Sequence, residues 1–323
     1  RSVRVRPGIY RIEDVGDDGV LHITADDVTL DLSGVTLIGA APGASPDQLT
    51  GIGIRAEGVE RFTVRHGSIE GFRVGLEISG GSGHTVLATH FSENFRQRLA
   101  STPDAEDSGD WLWPHENDED EWATRYGAAV HLKDASESTI ELVEVRQGQN
   151  GIILNRCRDV EVRRCDASYL SGWGLALWRT VDSRVIDNRF DFCVRGYSHG
   201  VYARGQDSTG ILVFEQCSRN EFARNSATHG GDGFFLYAGN ETLRETGEGG
   251  SNDNRVVDND FSHAVANAIE ATFSRGNRFE RNILRDSNYG VWAGYSYDSW
   301  IIGNHIAQNA IAGVAIEPVS YTH

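Results

Sequence analysis

Three carboxylates, Asp232, Glu270 and Glu215, lie in one stretch of the chain with His199 and His229. Asp232 stands between Gly231 and Gly233, where the backbone is free to bend and to carry a side chain to the lip of a strand. A turn-forming role suits it equally. Glu270 stands between Ile269 and Ala271, an outward position if those two point inward. A carboxyl flanked by aromatic side chains keeps its proton to higher pH, because charging it there is penalised. Glycoside hydrolysis needs one protonated and one ionised carboxyl on opposite sides of the scissile bond. The expected catalytic set is therefore Asp232, Glu270 and Glu215 with His199 and His229. Arg195, Tyr202, Arg204, His263 and Asn267 would orient substrate. His229 and His263 each follow a repeated asparagine by four residues and should stack. Such a pair can be a structural ladder, a general base with arginine support, or two ligands of a metal completed by Asp232.

These residues are distant in sequence, so a repeating fold must gather them. Asn259, Asn282 and Asn304 each sit in a short apolar segment, at steps of 23 and 22 residues. Asn225, Asn188, Cys165, Gly67 and Gly34 occupy the equivalent places upstream. Eight or nine residues later comes a glycine and a short strand, as at Gly174 or Gly233. Helical periodicity is absent. A unit this small cannot bury a face alone, but it can if each turn of chain stacks on the one before. The expected fold is all-β: a single-stranded right-handed parallel β-helix forming one domain over residues 1–323, with a cap at about residues 1–25. The asparagines should mark tight left-handed bends and form an amide ladder.

Departures from the period locate insertions at about residues 97–126, 195–209 and 238–251, where recognition tends to sit. All three should wall a groove over the outward strand face. Strand alternation points Trp178, Phe214, Tyr237 and Trp292 out of the coil, where a row of aromatics suits the apolar faces of sugar rings. The alternative is that the insertions pack over them. The first insertion is acidic and carries Trp111, Trp113 and Trp122. It reads as a lid whose Trp113 and His115 reach the groove, or as a calcium lobe lacking the glycine-ordered spacing of a known loop. No metal motif of fixed spacing is present, so no cofactor is expected.

The Asn-centred units resemble the right-handed parallel β-helix superfamily, which includes pectate-lyase-like enzymes and NosD-like repeat proteins, over about residues 20–318. The resemblance implies the fold and a carbohydrate-active branch. Within it, a glycoside hydrolase leads, a polysaccharide lyase or epimerase acting on a uronate is second, and a sugar-binding or accessory protein is third. The run from Gly239 through Asn259, Glu270 and Arg275 to Asn277 is similar to one lyase family. Arg275 stands there in place of the catalytic lysine, and residues 290–294 supply no matching arginine, so that mechanism does not transfer.

A net charge of −17 would repel a phosphate backbone, which argues against nucleic acid. Apolar runs fall far short of the roughly 20 residues that cross a bilayer, which implies a soluble protein without a membrane partner. Cys157, Cys165, Cys193 and Cys217 are spaced too irregularly for a disulfide framework and read as small core residues. The first seven residues hold no signal-like segment, as in any trimmed chain; the expected setting is periplasmic or extracellular.

Overall fold

The computed structural model describes residues 1–16, 18–196, 204–238 and 250–317. Within them the chain winds coil upon coil as a right-handed parallel β-helix. One ladder of eleven strands runs from Ser2–Arg4 to Trp300–Ile302, and a second of eleven from Leu21–Ile23 to Ala312–Glu317. A third begins at Gly8–Arg11 and ends at His305–Ala307, continued in its middle by single parallel bridges such as Arg189 to Ser226 and Ser226 to Asp260. No helix among the described residues is long and apolar enough to cross a membrane.

The second ladder positions the site, and strand alternation decides which side chains it offers. Ile54, Leu76, Val130, Ile152, Leu175, Ile211, Phe234, Ile269 and Val291 are aligned in register and point into the coil. All are buried in one continuous core that runs from Val28 to Ala293. Each contributes about 1.5–3 kcal/mol by leaving water, which is why small apolar strands suffice once stacked. The neighbouring register points outward and reads Arg55, Glu77, His131, Ile153, Ala176, Leu212, Phe235, Glu270, Trp292. Two residues further along, Lys133, Asn155, Trp178, Phe214, Tyr237 and Thr272 form a second outward row. The four cysteines are buried free thiols, each pushed up to about 12 by burial.

The asparagines form the expected ladder, with one correction. Asn188, Asn225, Asn259 and Asn282 each donate their amide N–H to the side-chain oxygen of the next, at 2.9–3.0 Å, ending on Asn304. The left-handed residue is the one before each asparagine: Asp187, Arg224, Asp258 and Arg281 have φ of 59°, 54°, 56° and 53°. The asparagine faces inward to hydrogen-bond, so the outward corner falls to its neighbour. There Arg224 pairs with Asp187 and Arg281 with Asp258, both at 2.7 Å. A second ladder, Asn220 to Asn254 to Asn277, was not anticipated from the period.

Replacing Asn259 by Ala strands the main-chain and side-chain N–H groups of Asn225, the carbonyl of Phe222 and one acceptor position on Asn282. At about 1–3 kcal/mol for each orphaned buried group, the variant should lose about 3 kcal/mol or more. A urea titration would read this as a lower midpoint at unchanged slope.

Candidate functional site

Asp232, Asn267 and Glu270 are brought together on two successive coils of the second ladder. The backbone N–H of Asn267 donates to Asp232 Oδ1 at 2.6 Å, and its side-chain amide donates to Glu270 Oε2 at 2.8 Å. Asn267, expected to meet substrate, is therefore spent on linking two carboxyl groups. The glycines around Asp232 reflect close packing. A Cβ on Gly205 would lie 2.0 Å from Asp232 Oδ2, and one on Gly233 would lie 2.5 Å from the Cβ of Phe261. The returning end of the second insertion thus lies directly on the carboxyl. Asp232 is completely buried, and its Oδ2 has no hydrogen-bond partner among the described residues.

Burial raises the Asp232 carboxyl well above the usual range, only partly offset by hydrogen bonds from Asn267. Glu270, half-buried between Phe235 and Trp292, is raised to about 9 by burial first and then by the Asp232 charge. The pair titrates as a unit and holds at least one proton at neutral pH.

The outward aromatics differ from expectation. Trp178 and Phe214 are buried, not open to sugars, because the first insertion folds back over them. Its helix α1, Glu121–Tyr126, seats Trp122 against Trp173 at 4.8 Å, Trp178 at 5.4 Å and Phe214 at 6.2 Å. Outward Ile153, Ala176, Leu212 and Phe235 join them in a second apolar core. The insertion is a fixed cover, anchored by Trp122 rather than by Trp111 and Trp113, which stay exposed. Arg195 holds the cover shut. Buried, it donates to the Asp110 carbonyl at 2.5 Å, the Ser171 carbonyl at 2.9 Å and Gln97 Oε1 at 2.9 Å, so it does not bind substrate. Arg204 lies 3.8 Å from the Trp111 ring centroid and 3.1 Å from Asp207. The acidic residues of the cover are ion-pair partners: Asp118 to Arg179, Asp120 to Lys133 and Arg156.

Residues 123–248 match the family described as right-handed beta helix region, and residues 207–323 match one described as periplasmic copper-binding protein (NosD). The fold is shared with the A-module of a mannuronan C-5 epimerase from Azotobacter vinelandii, at TM-score 0.59 and 13% identity over 99% of this chain and 91% of that one. It is shared with a surface adhesin of Streptococcus pneumoniae at TM-score 0.57, 13% identity, 94% of this chain and 75% of that one. A pectate lyase aligns at TM-score 0.55, 12% identity, 94% of this chain and 70% of that one. No curated protein matches the chain in sequence. The chain shares the right-handed parallel β-helix fold of these proteins.

In this β-helix protein the cover leaves the outward face open at its C-terminal side. There His115 meets Phe214 at 5.2 Å and Tyr237 at 5.0 Å, with exposed Trp113 beside it at 4.8 Å. Tyr237, Glu270 and Trp292, beside them on the outward face, are half-buried. Glu215 is 5% exposed, buried rather than half-open like these. It lies at the corner where strand Ile211–Phe214 ends, whereas Asp232 precedes the start of the next strand, Phe234–Tyr237. The two stand at opposite ends of the strands, roughly 20 Å apart at 3.3 Å per residue. His229 and His263 stack as expected, at 4.5 Å, but in an exposed corner column that begins with Tyr169 and Phe192. They are remote from Glu270 along the coil, and burial with the neighbouring His263 lowers the His229 imidazole. His199 and Tyr202 lie outside the described residues.

The described residues hold no group of three His, Cys, Asp or Glu side chains close enough to share a metal ion.

Arg55, Glu77, His131 and Lys133, on the other side of the cover, were missed. The same alternation that selected Glu270 points them outward, in strands Ile52–Glu57, Val74–Ser79 and Ala128–Lys133.

A buried carboxyl with a raised native pKa stabilises the fold below its unfolded value and loses that contribution as pH climbs toward the folded one. Asp232→Asn removes the ionisable group. Relative to the parent, its melting temperature should improve steadily from pH 4 to pH 8, and a difference independent of pH would contradict the assigned burial.

Proposed function

We infer that the chain binds a polysaccharide along the cleft beside the cover and acts on it by acid–base chemistry, with Glu270 as the proton donor. One observation carries this reading: Glu270 is half-buried between Phe235 and Trp292, where burial first and the Asp232 charge next keep it protonated against the hydrogen bond donated by Asn267. A carboxyl that retains its proton at neutral pH can give it to a leaving oxygen or hydrogen-bond a developing charge. Trp113, Trp292 and Tyr237 offer apolar faces and polar edges suited to sugar rings.

Two reaction classes use such a donor. Hydrolysis with paired carboxylates requires both to touch the sugar or its water. Of the three expected carboxylates, Glu270 alone reaches the rim, and Asp232 acts behind it as a positioning residue. Elimination or epimerisation at the carbon next to a uronate carboxyl needs instead one base and one acid. Tyr237 lies on the same outward face one coil back, its backbone diagonal to Glu270 at about 7–8 Å, with His115 against its ring. The burial of Asp232 favours this second class. The proteins of similar fold named as a mannuronan C-5 epimerase and a pectate lyase are in keeping with it, and a periplasmic or extracellular setting accords with the NosD match.

Incubation with neutral glucans, pectate and alginate separates the classes: reducing ends alone report hydrolysis, ultraviolet absorbance of an unsaturated end reports elimination, and proton NMR of the intact polymer reports epimerisation. Glu270→Gln should lower turnover by about 10²–10⁴. Asp232→Asn removes the charge that raises Glu270, so the alkaline limb of the pH profile should move to lower pH. Full activity in Glu270→Gln would eliminate the proposed donor.

A further inference from the structure

His84 is a buried titratable group far from the Glu270 site, 1% exposed and held by backbone atoms on both ring nitrogens. The Phe62 N–H donates to its Nδ1 at 3.3 Å, and its Nε2 lies 3.1 Å from the Gly80 carbonyl. A backbone N–H only donates and a carbonyl only accepts. Nδ1 is therefore bare and Nε2 carries the proton. The Phe62 N–H meets no main-chain acceptor among the described residues, so this corner of the coil rests on the imidazole. Later coils fill the same column with groups that do not titrate: Ser138 accepts from the His84 N–H, Ser183 from Val160, Asn220 from Ser183 and Asn254 from Asn220. One rung alone is sensitive to pH.

A proton on Nδ1 turns that acceptor into a donor. Two buried N–H groups then face each other with nothing to accept from either, which disfavours the closed corner. The charges on the neighbouring elements do not relieve this. Glu60 attracts a cationic His84, but its carboxylate already accepts from the N–H and the hydroxyl of Ser82, at 2.8 and 2.7 Å. Arg61 on the same corner is paired with Asp27 at 2.6 Å, Asp26 accepts from the Glu60 N–H, and Glu137 on the following coil is exposed. Burial outweighs the attraction of Glu60 and lowers the imidazole. A histidine lowered in the folded state gives its full support above the unfolded value of 6.5, and that support drains away as pH falls toward the folded one. The coils around it also lack the asparagine ladder, since Gly34 and Gly67 stand in its place; Asn94 ties the same two coils further along, through the Phe72 N–H and the Ile69 carbonyl.

We propose that His84 is an acid-triggered release between two N-terminal coils: uptake of a proton at Nδ1 frees the corner of residues 58–62 from residues 80–84, while the coils tied by the asparagine ladder stay closed. The release does not depend on the reaction assigned to Glu270.

Hydrogen exchange of the full chain, read by mass spectrometry at about pH 5 and about pH 7.5 and corrected for the intrinsic pH dependence of exchange, tests it. Peptides covering residues 58–64 should lose protection about tenfold at the lower pH, while those containing Asn225 and Asn259 keep theirs. His84→Asn offers the Phe62 N–H a neutral acceptor, as Asn220 does for Ser183, and should hold the corner equally at both pH values. His84→Ser, which copies the role of Ser183 toward Val160, provides the same reading if His84→Asn fails to fold. Imidazole nitrogen NMR of the parent at about pH 7.5 should show the His84 ring bare at Nδ1 and protonated at Nε2. Equal protection of the corner at both pH values, a loss shared by every coil, the same acid-induced loss in the folded His84 variants, or a His84 ring protonated on Nδ1 at the higher pH would overturn the release.

Discussion

In-register stacking of parallel coils is the constraint from which the rest follows. Once strands Phe234–Tyr237, Asn267–Thr272 and Tyr289–Gly294 align, Phe235, Glu270 and Trp292 become neighbours whatever their side chains prefer. The asparagine ladder is the device that holds the register. Each amide bonds both to the next amide and to a carbonyl of the preceding coil, so a slip of one residue would break all of them together. Chemistry-bearing groups therefore need no local support from their own loops. The scaffold delivers them as columns.

The cover divides those columns. Its tryptophan-rich helix removes Trp178, Phe214 and most of Phe235 from water and leaves open only the ends of the outward face. One end carries a protonated carboxyl with aromatic walls, the other a cluster of fixed charges around an imidazole. Burial raises Glu270, whereas His131, Lys133 and Arg55 hold Glu77 low against its own burial. In bulk water Glu270 would ionise near pH 4.3, and Glu77 would gain little from its partners.

The period was legible because a solenoid repeats its bends, and an asparagine every 22 or 23 residues is visible without any knowledge of packing. Inward and outward positions were equally legible, since strand alternation is a local rule, and it placed Glu270 beside Trp292 correctly. What failed were judgments about exposure. Trp178 looks the same in sequence whether a sugar or Trp122 lies on it. Arg195 looks like a ligand-binding cation until its three acceptors are seen to belong to the cover and the coil beneath. Burial of Asp232 depends on the backbone at Gly205, which no pattern around Asp232 reveals. His131 and Glu77 lie where the period is regular, so no break in the pattern marks them.

The Arg195 clamp also orders events in time. Its acceptors Gln97 and Asp110 precede it by 98 and 85 residues, and the coils containing Cys157, Trp178 and Asn188 must wind before it exists. As the chain emerges from the ribosome, the flap of residues 97–126 therefore waits unlatched while the apolar surface it will shield grows rung by rung. At about 5–20 residues per second that interval lasts several seconds, the span in which a nascent chain of this kind most needs a chaperone.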